Sequence, residues 1–341
     1  MICKIIKIYI IISIILTIIS ETIFAQQIDK MQELKEIRND NSKWVIYSKI
    51  KLDFVQKIGE LDSKDDNYLF YWPLDIALDD VGNIYILDSG NYRIQKFDPS
   101  GGYLETFGRK GQGPGEFEIP RSLDIDSKGN MYISDRGNNC LIILDTKGKE
   151  QRRLRLGSKT LPVRINSKNE FVMGLLCLDG ILMNYNKKFM IFDNNGNHLY
   201  NVGNISGNEV ASAGWAPYFF RFAVDDEDNI YLAYNGINRI EKFDRNGRHI
   251  FTSYYPHKII GTIPTTGIEV DSKNRIWVEI KINNEQILMI FNEIGILLGY
   301  ITKPQQFGSL LSKIRIFGDK LFLIDFSEQL CVYEYKIVYK N

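Results

Sequence analysis

The feature that most constrains the fold is a pattern that occurs six times: an Asp, a short turn with Gly-Asn, an aliphatic strand, a polar turn and a second strand. The two clearest copies run from Leu78 to Asp88 and from Ile125 to Asp135. One position, at the turn before the aliphatic strand, marks every copy: Asn83, Asn130, Glu170, Asn229, Arg275 and Lys320. The steps between these positions are 47, 40, 59, 46 and 45 residues. Each step has room for four short strands, and strand repeats of about 40 to 50 residues predict propeller blades.

Alternation of apolar residues within the repeats excludes helical repeats of similar length. In the first copy, Ile84 and Ile86 recur with a period of two between Gly-rich turns, which is typical of strands. We therefore predict an all-β chain: one six-bladed β-propeller with four-stranded antiparallel blades, covering residues 51–341.

The last copy is too short to complete its own blade. After its third strand, Leu330 to Tyr335, only six residues remain. At the other end of the chain, Leu52 to Gly59 resembles the outer strand that the first copy has at Tyr103 to Gly108. We predict that this N-terminal strand closes the last blade, because closure removes open sheet edges.

Residues 1–25 have the composition of a secretory signal peptide. Lys4 and Lys7 precede an apolar run from Ile8 to Ile19, and Ala25 offers a small residue for cleavage. The alternative is an uncleaved membrane anchor. Both interpretations place the propeller outside the cytoplasm, in the periplasm or cell envelope.

Residues 26–50 are predicted to form a polar N-terminal segment before the propeller. Within Gln27 to Asn41, three apolar residues stand at helical spacing: Met31, Leu34 and Ile37. This stretch is either one short helix on the propeller or a tether.

The charge balance argues against a polyanionic partner. Lys and Arg together number 42, as do Asp and Glu, so no net charge attracts nucleic acid or an anionic membrane. We expect no nucleic-acid partner, membrane contact only through an uncleaved N-terminal segment, and a monomer.

The stretch from Phe107 to Asn139 carries a family resemblance. It reads Phe-Gly-Arg-Lys-Gly-Gln-Gly-Pro-Gly-Glu-Phe, then Ile-Pro-Arg-Ser-Leu-Asp-Ile-Asp, then Gly-Asn-Met-Tyr-Ile-Ser-Asp. This stretch resembles the NHL-repeat six-bladed β-propellers found in many exported bacterial proteins, and the likeness covers about residues 51–335. The resemblance implies a scaffold whose relatives include protein or RNA binders and a few lyases and hydrolases, so the fold does not choose among these functions.

A ligand is expected at one face of the ring. The loops between blades and the turns between second and third strands share this face, and such loops commonly carry binding residues. Exposed aromatic and arginine side chains are frequent binding anchors, although aromatic residues here could equally pack between blades. We predict a protein, peptide or glycan ligand. The candidate residues are Trp72, Arg93, Arg121, Arg136, Trp215, Tyr218 and Arg221.

An Asp ends the second strand in three blades that become neighbours when the ring closes: Asp88, Asp135 and Asp325. These carboxylates, with Arg93 and Arg136 close by, could hold a polar ligand or, together with Asp124, a divalent cation. The interpretation we prefer is that each caps its own turn by accepting backbone N–H groups, because Asp-x-Gly-Asn is turn chemistry.

A second set of aligned positions lies on the innermost strands: Ala77, Asp124, Arg164, Ala223, Glu269 and Arg315. Residues at these aligned positions face the same side of their strands, so around a narrow central channel they should lie close together. We predict that the four charged residues form a structural belt of salt bridges, with a ligand site as the alternative, because a dehydrated belt requires balanced charge.

Enzymatic activity is the second functional hypothesis. Axial carboxylates could support a calcium-assisted hydrolase or lactonase, so calcium is the only cofactor considered. The resemblance also extends to lyases that hold zinc with histidines from several blades, but His198, His249 and His257 are too few and too far apart for such a site. We prefer a binding module and assign no catalytic residue.

Three cysteines remain after residue 25: Cys140, Cys177 and Cys331. A disulfide between Cys140 and Cys177 is one possibility, because these residues fall in neighbouring blades. Three buried thiols that pack as small apolar groups is the interpretation we prefer.

Overall fold

The computed structural model describes residues 36–39, 45–155, 162–174, 187–204, 220–234, 238–255, 265–282, 285–302, 312–326 and 329–340. These residues form six radial sheets, each with four antiparallel strands, and one sheet carries an additional parallel strand at its edge. The predicted six-bladed β-propeller with four-stranded antiparallel blades is therefore confirmed. No helix in these ranges is long and apolar enough to cross a membrane.

The strands follow the chain in order around the ring. Two strands precede the first blade: β1 (Glu36–Arg38) and β2 (Ile50–Ile58). Blade one contains β3 (Pro73–Leu78), β4 (Ile84–Asp88), β5 (Arg93–Phe97) and β6 (Tyr103–Phe107). Blade two contains β7 (Pro120–Ile125), β8 (Met131–Asp135), β9 (Cys140–Leu144) and β10 (Glu150–Leu154). Blade three contains β11 (Val163–Ile165), β12 (Phe171–Gly174), β13 (Lys187–Phe192) and β14 (His198–Asn204).

The second half of the ring repeats this arrangement. Blade four contains β15 (Phe220–Val224), β16 (Ile230–Tyr234), β17 (Arg239–Phe243) and β18 (His249–Tyr254). Blade five contains β19 (Thr265–Val270), β20 (Ile276–Ile282), β21 (Glu285–Phe291) and β22 (Leu297–Thr302). Blade six contains β23 (Ser312–Phe317), β24 (Lys320–Asp325) and β25 (Cys331–Tyr339).

The repeated Asp before each Gly-Asn turn explains why the sequence pattern recurs. In blade one, Asp79 Oδ1 accepts the Asn83 backbone N–H at 2.8 Å, and its Oδ2 accepts the Asn83 side-chain amide at 2.8 Å and the Tyr85 hydroxyl at 3.2 Å. One carboxylate thus closes the turn and satisfies the polar end of a buried ring. The equivalent acceptors in other blades are Asp126, Asp225 and Asp271.

Blade three keeps the same turn, but the side-chain amide and the carboxylate occupy each other's positions. Here Asn166 Oδ1 accepts the Glu170 N–H at 2.9 Å, while the Asn166 amide donates to Glu170 Oε2 at 2.8 Å. The side-chain donor and acceptor have thus changed places relative to blade one. A copy whose sequence departs from the pattern therefore still forms the same turn.

The N-terminal strand closes the ring, as predicted. Strand β2 pairs antiparallel with β25 from Ile50 opposite Tyr339 to Ile58 opposite Val332, and becomes the outer strand of blade six. A hydrophobic cluster then fills the junction between blades six and one, with Ile58 and Phe322 packing beside Ile86. Because each of the six junctions has such a cluster, burial of apolar surface stabilises the whole circle.

The segment before β2 also belongs to the rim of the ring. Strand β1 adds to blade four as a fifth strand, parallel to β18, and Ile46 forms a parallel bridge to Tyr300 of blade five. The helix considered for Gln27 to Asn41 is therefore wrong for residues 36–38, whose backbone finds hydrogen-bond partners on an open strand edge. Residues 1–35, which include the proposed signal peptide, lie outside the described residues.

Asn39 anchors this rim segment between blades four and five. Its buried amide donates to Ser253 Oγ at 3.0 Å and to the Gly295 carbonyl at 3.3 Å, and its side-chain oxygen accepts the Leu297 N–H at 2.9 Å. One side chain therefore satisfies groups from two blades.

Candidate functional site

One face of the ring, called the upper face, contains the starts of the first strands and the ends of the second strands. In blade one Pro73 lies opposite Asp88, and in blade two Pro120 lies opposite Asp135. The loops between blades and the turns between second and third strands therefore meet there, as the sequence predicts.

The strand-ending carboxylates at this face are buried and bound by the protein. Asp135 Oδ1 accepts N–H groups from Ile119 at 2.8 Å and Gly137 at 3.0 Å, while its Oδ2 accepts from the Glu118 N–H at 2.8 Å and the Asn138 amide at 2.7 Å. Asp135 thus fixes its own turn together with the loop that enters the blade, which is the turn-capping role that we preferred. Asp88 and Asp325 are likewise buried.

Arg93, a candidate ligand anchor, is hydrogen-bonded to other groups of the protein. Its Nε donates to Asp88 Oδ2 at 2.8 Å, and its Nη2 donates to the carbonyls of Asp66 and Leu69 at 2.8 Å each. Asp88 also accepts the Tyr71 N–H at 2.7 Å. The Asp88–Arg93 pair therefore holds the segment that leads into blade one rather than presenting a charge to solvent.

Trp72 is exposed and its backbone is strained. It lies at φ 55°, in the left-handed region, which costs a bulky residue about 1–3 kcal/mol. Its ring is parallel to that of Tyr71 within 3°, with centroids 5.9 Å apart, and about half of each side chain is exposed. The structure thus holds an aromatic pair at the surface of the upper face.

Arg121 and Arg136 lie at the same end of blade two. Both are exposed, and the Arg136 backbone N–H donates to the Ile119 carbonyl at 2.9 Å, beside the start of β7. Partial burial lowers the pKa of Arg121, and the neighbouring charge of Arg136 lowers it further. These two candidates are therefore brought together.

The other candidate anchors are placed differently. Arg221, on the first strand of blade four, is exposed and donates from Nε to the Thr266 carbonyl of blade five at 3.2 Å. Trp215 and Tyr218 lie outside the described residues.

Six charged side chains from five blades meet at the axis: Asp75, Asp124, Arg164, Glu269, Lys313 and Arg315. Arg315 Nη1 lies 2.8 Å from Asp75 Oδ1, its Nε 3.1 Å from Glu269 Oε1 and its Nη2 3.7 Å from Asp124 Oδ1. Since these side chains start from innermost strands of different blades, their contacts span the centre of the ring. We call this group the axial cluster.

Arg164 and Lys313 complete the axial cluster. Arg164 Nη1 lies 3.3 Å from Asp75 Oδ2 and its Nη2 lies 4.0 Å from Glu269 Oε1, while Lys313 Nζ lies 2.9 Å from Asp75 Oδ1. The structure therefore brings together the four charged residues selected from the aligned positions. It also adds Asp75 and Lys313, which stand two residues earlier on their strands and were not included in the belt.

The axial cluster balances three carboxylates with three cations. Asp75 is fully buried, and Arg315 is 4% exposed. Burial raises the pKa of Asp75, but Lys313, Arg164 and Arg315 together outweigh burial and hold this pKa well below its ordinary value. Burial lowers the pKa of Lys313 to about 8, although Asp75 opposes the shift. The charged form of Asp75 is thus stabilised by its cationic neighbours.

The axial carboxylates also cap the open edges of the innermost strands. Asp75 Oδ2 accepts the Leu123 N–H of blade two at 3.2 Å, and Asp124 Oδ2 accepts the Ile165 N–H of blade three at 2.9 Å. An unpaired backbone donor at a buried strand edge is costly, so each cap stabilises the neighbouring blade.

The sequence offered a metal site as an alternative, and the positions of the possible metal ligands bear on it. Within the described ranges, no three acidic, histidine or cysteine side chains are arranged to hold a metal ion. His198 and His249 bond to Asn201 and Thr252 of their own outer strands, and His257 lies outside these ranges.

Cys140 and Cys331 are free, buried thiols, which is the role we preferred for them. Burial raises the pKa of each to about 11. Cys177 lies outside the described residues.

The fold and the axial cluster define a six-bladed β-propeller whose centre is occupied by ion pairs. Residues 61–171 match the model of a protein family described as 6-bladed beta-propeller, which is about a third of the chain. Among curated proteins, none has a sequence that matches this chain significantly.

Several solved structures share the fold. A Bacteroides fragilis protein described as exported aligns with a TM-score of 0.63 and 13% identity over 90% of this chain and 99% of its own. A member of the duf4221 family from Bacteroides vulgatus aligns with a TM-score of 0.62 and 12% identity over 86% and 99% of the two chains. A gluconolactonase from Xanthomonas campestris aligns with a TM-score of 0.55 and 11% identity over 86% and 91%. At these identities the similarity establishes the fold alone.

Proposed function

We propose that this protein is an exported propeller of the NHL type that binds a protein, peptide or glycan ligand on its upper face. The observation that carries the proposal is the exposed, strained Trp72 with its parallel Tyr71, next to the arginines of blade two. Side chains held in strained backbone at a surface cluster at ligand sites, and aromatic and arginine residues are frequent binding anchors.

The alternative function, a calcium-assisted hydrolase or lactonase, needs carboxylates that are available at the axis. Asp75, Asp124 and Glu269 instead contact arginine or lysine side chains, and the axial cluster has no excess negative charge. A divalent cation would have to displace those side chains and leave buried cations unpaired. For this reason we favour binding over hydrolysis.

Location outside the cytoplasm is part of the proposal. It is supported by the signal-like composition of residues 1–25 and by similarity to a Bacteroides fragilis protein that is described as exported. Fractionation of cells that produce the tagged full-length chain tests it. We expect the propeller in the periplasmic or envelope fraction, and recovery in the cytoplasm would contradict this location.

The binding proposal is tested by comparing a triple variant and a double control variant with the wild-type protein on arrays of envelope proteins, peptides and glycans. The test variant is Trp72→Ala, Arg121→Ala and Arg136→Ala. The control is Phe54→Ala with Arg248→Ala, which removes an exposed aromatic residue of β2 and an exposed arginine of a blade-four turn on the opposite face. We expect the test variant to lose ligands that the wild-type protein and the control retain. Identical ligand sets for all three folded proteins would reject the upper face as the binding surface.

A further inference from the structure

The aromatic pair is positioned by contacts with the turn that follows β4. The Gly90 N–H donates to the Tyr71 carbonyl at 2.6 Å, and the Ser89 N–H donates to the Trp72 carbonyl at 3.1 Å. The Tyr71 ring packs so closely on Gly90 that any side chain there would collide with it. These contacts fix the backbone of both residues and the position of the Tyr71 ring, on which the Trp72 ring stacks, and we call this pair the platform.

The strain at Trp72 is not a requirement of the blade architecture. In blade two the equivalent residue before the first-strand proline is Ile119, whose backbone does not adopt the left-handed conformation. The same loop can therefore enter a blade without strain. Strain that the fold does not require, at an exposed Trp, points to a ligand contact.

The two arginines lack acidic partners. Among the described residues, neither Arg121 nor Arg136 has a carboxylate within 4.0 Å, neither side chain donates a hydrogen bond, and the charged neighbour that acts on Arg121 is Arg136. Other exposed arginines near carboxylates do form pairs, as Arg109 does with Glu116 at 2.8 Å. Two neighbouring guanidinium groups without an acid favour an anionic ligand, which would relieve their mutual repulsion.

The platform and the arginines form one continuous surface. Ser89, whose backbone holds Trp72, donates from Oγ to the Pro120 carbonyl at 2.5 Å, and Pro120 directly precedes Arg121. Ile119, which is 41% exposed, directly precedes Pro120, and its carbonyl accepts the Arg136 N–H at 2.9 Å. The apolar rings and the charges are therefore within reach of one ligand.

We infer that this surface binds carboxylate-bearing sugars, that is, uronate residues of an acidic glycan; the inference rests on the proposed function. The flat apolar face of a sugar ring packs on the open face of an aromatic ring, and its carboxylate accepts the paired hydrogen bonds that a guanidinium donates. A peptide made only of Asp and Glu could use the arginines but has no ring to pack on the platform. The conjunction of a rigid aromatic platform with two unpaired arginines favours the glycan.

The test is titration calorimetry of the full protein with three probes: the trimer of galacturonic acid, its methyl ester, and a hexapeptide of Asp and Glu. We expect the acidic trimer to bind more tightly than its ester, and its affinity to fall with added salt. Arg121→Gln with Arg136→Gln should weaken the acidic trimer roughly tenfold or more and remove its advantage over the ester. Trp72→Ala should weaken trimer and ester by similar factors. Phe54→Ala and Arg248→Gln should change neither affinity.

The outcomes separate the ligand class from the proposed function. Failure of the acidic trimer to bind, or binding that the Trp72 and arginine variants leave unchanged, overturns the glycan inference. Tighter binding of the acidic hexapeptide that depends on the same arginines also overturns it, but supports a binding role for the upper face. An unchanged ligand set on the arrays for the triple variant overturns both.

Discussion

Replacement of Arg315 by Met should strongly destabilise the ring, because Arg315 connects all three axial carboxylates. It contacts Asp75 at 2.8 Å, Glu269 at 3.1 Å and Asp124 at 3.7 Å, and its side chain is 4% exposed. Methionine fills similar space but leaves three carboxylates facing two cations. Loss of one partner from a buried ion pair typically costs about 3–5 kcal/mol.

The expected change in melting temperature follows from the size of the unit. The compact unit spans Glu36 to Asn341, about 300 residues, for which the unfolding entropy is about 0.6 kcal/mol/K. The loss of stability therefore corresponds to about 5–8 °C, measured by differential scanning calorimetry and checked by urea unfolding. Arg164→Met should cost less, because the distances from Arg164 to its carboxylate partners are 3.3 and 4.0 Å.

A second substitution distinguishes charge imbalance from simple loss of packing. Arg315→Met combined with Glu269→Gln leaves two carboxylates and two cations, so this double variant should recover about 1–3 kcal/mol relative to the sum of the single effects. Arg248→Met, on an exposed arginine paired with Asp244, is the control and should change stability by less than about 0.5 kcal/mol. A melting temperature for Arg315→Met within about 1 °C of wild type, or strictly additive effects in the double variant, would show that the axial ion pairs do not stabilise the ring.

Four further outcomes are expected. Because Lys313, Arg164 and Arg315 depress the pKa of Asp75 despite its burial, the stabilising effect of Asp75 is fully present above about pH 4 and declines progressively as the pH falls further. The stability gap to Asp75→Asn, measured by urea unfolding, should therefore begin to narrow at about pH 3, and a constant gap would contradict this. Deletion of residues 45–60 removes the outer strand of blade six and should abolish cooperative unfolding, whereas a soluble deletion variant with a sharp calorimetric transition would disprove closure. Asn39→Ala leaves groups of blades four and five unpaired and should cost about 1–3 kcal/mol in unfolding free energy, with no change if the rim segment is peripheral. Native Cys140 and Cys331 should react with a thiol reagent at about pH 8 far more slowly than after unfolding, since burial raises the pKa of both thiols; equal rates would disagree with their burial.

The amino-acid pattern was enough to predict the architecture, because the interactions that shape each blade are local. The carboxylate of Asp79 closes a turn within four residues and binds a ring six residues away, so the same few residue types must recur wherever the turn recurs. Even the exchanged pair Asn166 and Glu170 keeps the spacing. Register follows from the turns, which is why the charged positions aligned along the sequence also meet at the axis.

Which charged residues complete the axial cluster, and which candidate binding residues remain exposed to a ligand, depends on the closed ring. Asp75 is the centre of the cluster because Arg315, which lies 240 residues away, reaches it across the ring, and no local pattern encodes that contact. Arg93 is bound to Asp88 of its own blade, whereas Arg121, another arginine at the same face, remains exposed. A side chain's partners depend on the closed geometry of the ring, so sequence spacing could propose these residues but could not assign their roles.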